Sequence, residues 1–177
     1  LGRVYYRYVS FERMAQEDEL YLLQAAKWFG RAAAQGNSEA QNHLAYLYKY
    51  IPAFLDSQKA FYWYEKAAMQ GNSLAQYELA DMYKTGIGTK KDLEKAFYWY
   101  QKAADGAGLA APAAARMVSH FYLLGITVAS DEKQVIAYAV KAKEGGAYPE
   151  QKAYYEVAER DMAQAIPIGD FIESFLK

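Results

Sequence analysis

The stretch Lys59-Ala-Phe-Tyr-Trp-Tyr-Glu-Lys-Ala-Ala68 returns as Lys95-Ala-Phe-Tyr-Trp-Tyr-Gln-Lys-Ala-Ala104, 36 positions later and with one change in ten residues. A related segment runs from Ala25 to Ala33, 35 positions before the first, and a weaker copy starts at Val135. Four copies at this spacing indicate an internal repeat. A period of this length is typical of helical arrays, in which each repeat is one supersecondary unit.

A second repeated segment lies between these copies, at residues 40–48, 75–83 and 114–122, and ends each time on a tyrosine. In the middle copy Ala75, Leu79 and Met82 recur at i, i+4 and i+7. This spacing places apolar side chains on one face of a helix. Each period therefore predicts two helices.

The residues between the segments predict turns. Gln-Gly-Asn-Ser occurs at 35–38 and again at 70–73. The glycine is expected to end one helix in a left-handed conformation, and the Asn or Ser to cap the start of the next. Within one repeat, Gly86 and Gly88 favour a turn and Asp92 is the expected cap of the helix that follows.

This pattern resembles the Sel1-like repeat family, a relative of the tetratricopeptide repeats. Its repeats read Ala-x-x-x-Leu-Gly-x-x-Tyr, a Gly-x-Gly turn, Asp, then Lys-Ala-x-x-Trp-Tyr-x-Lys-Ala-Ala. Residues 75–106 match almost throughout, and the resemblance covers about residues 1–148. Departures are Ala45 and Ala80 in place of the usual Gly, and residues 50–56, which lack the Gly-x-Gly turn.

The resemblance implies an all-α fold, a right-handed α/α superhelix of about four Sel1-like helix-turn-helix repeats. The expected repeats are about 1–37, 38–72, 73–109 and 110–148. Because Leu1 falls in mid-helix, the first repeat is expected to be truncated; a fragment of a longer scaffold is one alternative for the chain as a whole. Residues 149–177 are expected to form C-terminal capping helices that cover the last repeat; a docking helix for another chain is the alternative.

The amino-acid composition disfavours several classes of function. Lys plus Arg number 20 and Asp plus Glu 21, without the basic excess that favours binding to a phosphate backbone. No run approaches the roughly 18 uncharged apolar residues of a membrane-spanning helix. The chain has no cysteine, which excludes a thiolate metal site and a Cys nucleophile. We therefore expect neither nucleic-acid binding nor membrane insertion.

No motif for chemistry is apparent. The two histidines, His43 and His120, lack the spacing of metal ligands. Residues 86–91 lack the four-residue gap of a P-loop, and no Gly-x-Ser-x-Gly elbow occurs. We expect no metal, no cofactor and no enzymatic activity; an enzyme would need a polar constellation that the sequence does not display.

Aligned aromatic and basic residues are interpreted as scaffold. One column keeps a large ring in every repeat and is expected to form the core between helices; it contains Trp28, Trp63, Trp99 and Tyr138. Tyr62 and Tyr98 share a column with Lys27, so they are expected to be partly exposed. A basic column is interpreted as a solvated face with packed stems; it contains Arg31, Lys66, Lys102 and Lys141.

Positions that differ between repeats on the first helix of each pair are the candidate binding site, because function in a repeat protein is carried by positions that the scaffold does not need. They mix polar and aromatic types, and an ordinary solvent face is the alternative. The candidates are Arg3, His43, Tyr46, Glu78, Asp81, Met117 and His120.

A second candidate is the apolar connection that contains Ile51, Phe54 and Leu55, where the repeats otherwise favour a polar, Gly-rich turn. If exposed, these residues would mark an interface. If they fold back onto the core, they carry no binding role.

The resemblance implies a non-catalytic protein–protein interaction module, an adaptor that binds a partner protein or peptide on its concave face. A bacterial immunity protein, which neutralises a secreted toxin effector such as a lipase by tight complex formation, is the alternative. We expect a monomer, in the bacterial periplasm or exported rather than in the cytoplasm.

Overall fold

The computed structural model describes residues 16–145, with side chains from residue 21 onward. The predicted capping helices at 149–177 and the candidate Arg3 lie outside the described residues. The described part is helical and contains no strand. Its helices are α1 (Gln16–Ala34), α2 (Ser38–Tyr50), α3 (Ser57–Met69), α4 (Ser73–Thr85), α5 (Leu93–Asp105), α6 (Ala111–Leu124) and α7 (Glu132–Glu144), with a short 3-10 turn at Pro52–Phe54.

Each helix packs against its neighbour in sequence within two compact units, which divide between Lys91 and Asp92. In the first unit α1 packs on α2, α2 on α3 and α3 on α4; in the second, α5 packs on α6 and α6 on α7. The predicted all-α array of helix pairs is confirmed. Alternation of first and second helices puts α2 and α4 in equivalent places of consecutive repeats.

The predicted caps are present. The Asn37 side chain accepts a hydrogen bond from the Ala40 amide at 2.9 Å, and Asn72 accepts one from Ala75 at 3.0 Å. The glycine before each cap has a left-handed backbone, with φ of 89° at Gly36 and 85° at Gly71. These bonds satisfy amides that a helix start leaves without a partner inside the helix. Local chemistry thus sets the turn between repeats.

The turn predicted within the third repeat is also present. Gly86 and Gly88 both have positive φ, and Asp92 accepts a hydrogen bond from the Lys95 amide at 3.0 Å. Gly88 is further restricted by its surroundings, because a Cβ built there would overlap the carbonyl oxygen of Ser57. The start of α3 therefore packs directly on this turn.

The core of the first unit includes part of the apolar connection. Ile51 is only 3% exposed and packs with Leu44 and Leu47, and Phe54 is half-buried against the same cluster. The prediction that this connection offers an apolar binding patch is therefore wrong for Ile51, since its side chain contributes to the core. Of the three candidates in this connection, only Leu55 is largely exposed, at 62%.

The predicted tryptophan column lies at the edge of the core rather than at its centre. Trp28, Trp63 and Trp99 are half-buried, and Trp63 packs against the core cluster of the first unit, whereas the residue after each tryptophan is buried: Phe29, Tyr64 and Tyr100. Neighbouring residues on a helix point about 100° apart, so two adjacent aromatic columns cannot both lie at the centre of the packed face. Tyr138 is buried as expected, and Tyr62 and Tyr98 are about half exposed as expected.

Candidate partner-binding surface

A polar network joins α2 to α4, the first helices of two consecutive repeats. Lys49 Nζ on α2 lies 2.7 Å from Glu78 Oε2 and 3.5 Å from Asp81 Oδ2, both on α4. On the same helix as Asp81, Lys84 Nζ lies 2.9 Å from Asp81 Oδ1. The network thus brings the two predicted acidic residues together around a cation that the candidate set did not include.

Two tyrosines extend this network along α2. Tyr50 donates a hydrogen bond to Glu78 Oε2 at 2.8 Å, the same oxygen that accepts from Lys49. The ring of Tyr46 packs against that of Tyr50, with centroids 4.7 Å apart. Because Tyr46 lies one turn before Tyr50, their rings form a continuous aromatic strip beside the charged groups. Three predicted site residues, Tyr46, Glu78 and Asp81, therefore share one surface.

Burial and charge shift the pKa values within the network. Burial alone would lower the pKa of Lys49, but the charge of Glu78 and the hydrogen bonds that Lys49 donates to Glu78 and Tyr50 outweigh it and raise that pKa above its usual value. Burial and the nearby Glu78 carboxylate raise the pKa of Tyr50 to about 12. Burial opposes ionisation of Asp81, yet Lys84 and Lys49 lower its pKa overall. These shifts favour the cationic form of Lys49, the neutral form of Tyr50 and the anionic form of Asp81.

The remaining predicted residues are placed as follows. His43 is half-buried and stacks on Phe29, with ring centroids 4.9 Å apart. Met117 is half-buried and His120 is exposed; both lie on α6, in the second unit. Stacking gives His43 a packing role in the first unit in addition to any contact it makes with a partner.

Lys49 lies in a third column of the first helices that differs between repeats, and Lys84 holds the same place in the next repeat. The sequence shows this column, but the contact of Lys49 with Glu78 follows only from how α2 and α4 meet in the fold.

The aligned basic residues form a separate pattern on the second helices. Each places its cation about one turn from an aromatic ring of its own helix, at 5.1 Å for Arg31 over Trp28 and 5.6 Å for Lys66 over Tyr62. Lys102 over Tyr98 and Lys141 over Tyr138 repeat the arrangement. These contacts agree with the predicted solvated face, whose stems pack on neighbouring rings.

The residues 16–145 were also considered for a metal site and for a membrane-spanning helix. No group of three or more His, Asp or Glu side chains there is arranged to hold a metal ion. None of the helices described combines the length and apolar character needed to cross a membrane.

Comparison with known proteins identifies the repeats. Residues 22–37, 38–72 and 73–107 each match the family model of the Sel1 repeat. These segments are Sel1 repeats. In this frame the Lys49–Glu78 pair joins the first helices of the second and third Sel1 repeats.

Solved structures with the same repeat are similar in fold. A Sel1 repeat protein from Oxalobacter formigenes superposes with a TM-score of 0.70 at 29% identity, over 85% of this chain and 62% of its own. A protective antigen of uropathogenic Escherichia coli with a Sel1-like repeat fold superposes with a TM-score of 0.52 at 25% identity, over 78% of this chain and 37% of its own. The chain thus spans less than two thirds of either protein. A search of curated protein sequences finds no significant match.

Sel1 repeats are generally protein–protein interaction modules, and the family is a non-catalytic repeat fold. The presence of three such repeats therefore supports a protein partner for this chain.

Proposed function

We propose that this chain is a non-catalytic adaptor that binds a partner protein through the surface formed by α2 and α4. The observation that carries the proposal is the Lys49–Glu78 pair at 2.7 Å, which joins two repeats and positions Tyr46 and Asp81 on one face. Tyrosine is one of the residues enriched at the energetic centre of protein interfaces, and charged groups beside it add specificity for a partner.

The same network argues for a rigid binding surface. Lys49 is held by a carboxylate, by a second carboxylate at 3.5 Å and by the ring of Tyr50 at 5.1 Å. Side chains fixed before association lose less conformational entropy when a partner binds. The surface is therefore organised to bind without rearrangement.

As part of the proposal, the protein acts as a monomer in the bacterial periplasm or after export. Its structural relatives from Oxalobacter formigenes and uropathogenic Escherichia coli support a bacterial source. The expected absence of a catalytic role, of metal and of nucleic-acid binding belongs to the same proposal.

The test is affinity capture from a bacterial lysate with the 177-residue chain, followed by reconstitution of the complex from purified components. The double variant Tyr46→Ala, Asp81→Ala is compared with wild type, and Tyr62→Ala, which removes an exposed ring from α3, is the matched control. We expect the double variant to lose the partner and the control to retain it. A partner retained equally by all three chains would refute this surface as the binding site.

A further inference from the structure

Three cations on the second helices of the first unit have no carboxylate partner among the described residues. Lys27 and Arg31 lie on α1 and Lys66 lies on α3; all three are exposed, and none forms an ion pair within the described range. Elsewhere in this unit, Lys49 and Lys84 are paired with carboxylates of α4 at 2.7 and 2.9 Å. The positive charge on the exposed sides of α1 and α3 is therefore not neutralised within the described part of the chain.

These cations occupy equivalent places in consecutive repeats. Arg31 aligns with Lys66 in the next repeat, and Lys27 aligns with Tyr62. The two cations of α1 are one helical turn apart, a rise of about 6 Å. Trp63, which follows Tyr62, packs on the core cluster to which α1 contributes, so the surface continues from α1 to α3. We call Lys27, Arg31, Tyr62 and Lys66 the α1–α3 basic surface.

Two of the cations are held over aromatic rings instead of beside carboxylates. The Arg31 guanidinium lies 5.1 Å from the ring centroid of Trp28, and Lys66 Nζ lies 5.6 Å from that of Tyr62. The Tyr62 ring in turn packs edge-on against Trp63, with centroids 4.9 Å apart. A cation over a ring keeps its charge and its hydrogen-bond donors. The rings thus position these cations without neutralising them, which lowers the entropy lost when an anion binds.

The exposed face of α3 carries no carboxylate. Lys59, Tyr62, Lys66 and Met69 follow one another along this face, and all four are exposed. Glu65 supplies the carboxylate of α3, but it is half-buried and forms no ion pair with a described cation. An anionic partner that approaches this face therefore meets cations first.

The second unit differs at the equivalent face of α5. Lys102 lies over Tyr98 at 5.6 Å, as Lys66 does over Tyr62. However, Asp105 holds the place that Met69 has on α3, and it is exposed and lies 2.9 Å from Lys141. A carboxylate thus lies on this face, so we assign the binding of an anionic partner to the first unit.

We infer that the α1–α3 basic surface binds an acidic segment of a second protein, distinct from the partner that α2 and α4 bind. Carboxylates of that segment accept charge-assisted hydrogen bonds from Lys27, Arg31 and Lys66, the stronger kind of hydrogen bond. The planar fork of Arg31 matches one carboxylate with two such bonds. Because the two surfaces use different helices, the chain can hold two proteins at once, which is what an adaptor does.

An acidic protein segment fits this surface better than an anionic bilayer does. Clusters that bind anionic lipids have about four to eight Lys or Arg residues, and helices that lie on a bilayer bury a broad apolar face. The α1–α3 basic surface has fewer cations and one exposed ring, that of Tyr62. Carboxylates one helical turn apart on a partner also rise about 6 Å, which matches the spacing of Lys27 and Arg31.

The experiment uses a library of random dodecapeptides selected on the full chain. We expect one class of selected peptides to be rich in Asp and Glu. Members of this acidic class are synthesised as selected and with every Asp and Glu changed to Asn and Gln, and both forms are measured by fluorescence anisotropy. The amide form is expected to bind at least tenfold more weakly, and the affinity of the acidic form should fall as salt is added.

The double variant Arg31→Gln, Lys66→Gln removes two charges and keeps side chains that can pack on the rings. It is expected to bind the acidic class at least tenfold more weakly than wild type. Lys90→Gln, Lys91→Gln is the matched control, because it removes two exposed cations of the same unit that form no ion pair with a described residue. The control should bind as wild type does, and circular dichroism establishes that each variant is folded.

Three results would overturn the inference: no acidic class among the selected peptides, full affinity in Arg31→Gln, Lys66→Gln, or an equal loss in both double variants. The last of these would show that only the net charge of the chain matters. Sedimentation of the chain with vesicles of phosphatidylcholine and phosphatidylserine, without binding of an acidic peptide, would assign the surface to a bilayer instead of a protein.

The proposed function is tested separately. Tyr46→Ala, which leaves the charges of α2 and α4 unchanged, is expected to bind the acidic class as wild type does. A loss of that class in Tyr46→Ala would place the peptides on α2 and α4 and overturn the α1–α3 basic surface. Capture of a partner that Tyr46→Ala, Asp81→Ala abolishes would support the proposed function whether or not an acidic peptide binds.

Discussion

The Lys49 ammonium lies 2.7 Å from the Glu78 carboxylate, although only 7% of the Lys49 side chain is exposed. The two residues are on first helices of consecutive repeats, 29 positions apart in the chain. A buried ion pair adds little net stability over an apolar pair, but removal of one partner leaves a desolvated charge. Removal of Glu78 and removal of Lys49 should therefore lower the free energy of unfolding by different amounts.

Glu78→Ala is expected to lower the free energy of unfolding by about 2 kcal/mol. This is less than the roughly 3 to 5 kcal/mol for a fully buried pair, because Asp81 remains 3.5 Å from the ammonium. Lys49→Met is expected to cost less than half as much, since it leaves carboxylates that reach solvent. Urea denaturation of both variants measures the difference. A larger loss in Lys49→Met would show that desolvation of the lysine is unimportant.

Stability is expected to fall at alkaline pH through Tyr50. Its pKa is raised from 10.0 to about 12 in the folded chain, so the unfolded chain loses this proton first. The contribution is complete below about pH 10 and is lost as the pH rises toward about 12; the raised pKa of Lys49 acts in the same direction. Tyr50→Phe should reduce the fall in urea midpoint between about pH 9 and 11. Tyr62→Phe is the control, and an equal reduction there would contradict the assignment to Tyr50.

Two glycines with left-handed backbone should tolerate alanine differently. Gly71 has φ of 85° and open space where a Cβ would lie, so Gly71→Ala is expected to cost only the backbone strain, about 1 kcal/mol. Gly88 has φ of 73° and meets the Ser57 carbonyl and Met82, so Gly88→Ala is expected to cost more than about 3 kcal/mol. Thermal unfolding of the pair tests this. Equal losses would mean that the turn moves away from α3 at no cost.

Thr127 is a strained residue that can be relieved. It follows Gly125-Ile126 where the third repeat has Gly88 after Gly86-Ile87, and its φ is 63°. A β-branched residue disfavours this conformation, whereas Asn adopts it more readily. Thr127→Asn is expected to raise stability by about 0.5 to 1 kcal/mol. Thr89→Asn, at a position without positive φ, should give no gain; a gain in both would assign the effect to composition.

The two adjacent aromatic columns are expected to differ in their contribution to stability. Tyr64 is fully buried and Trp63 only half-buried, so Tyr64→Ala is expected to cost about 4 kcal/mol and Trp63→Ala about 2 kcal/mol. Calorimetry of the two variants decides between the columns. A greater loss in Trp63→Ala would restore the tryptophan column to the core.

The features that the sequence predicted well are those that nearby residues determine. Local sequence is enough to predict the helix caps and the left-handed glycines, because each depends on a few consecutive residues. They are the caps at Asn37 and Asn72 and the glycines Gly36 and Gly71. The period of the repeats likewise reveals the pairing of helices.

The features that were missed depend on which helices meet. Trp63 and Tyr64 are adjacent rings, and only the packed neighbour determines which of them is buried. Lys49 became part of the site because α4 places Glu78 beside it, a contact between residues far apart in sequence.

The side chain of Gln41 donates to the Ala33 carbonyl at 3.1 Å, and Gln76 makes the same bond to Ala68 at 3.1 Å. Donor and acceptor are eight residues apart in both cases, on either side of the turn that joins one repeat to the next. When a gene segment of one period is duplicated, the new copy brings both halves of this joint with it. The array can therefore lengthen by whole repeats during evolution without a compensating substitution at the new junction.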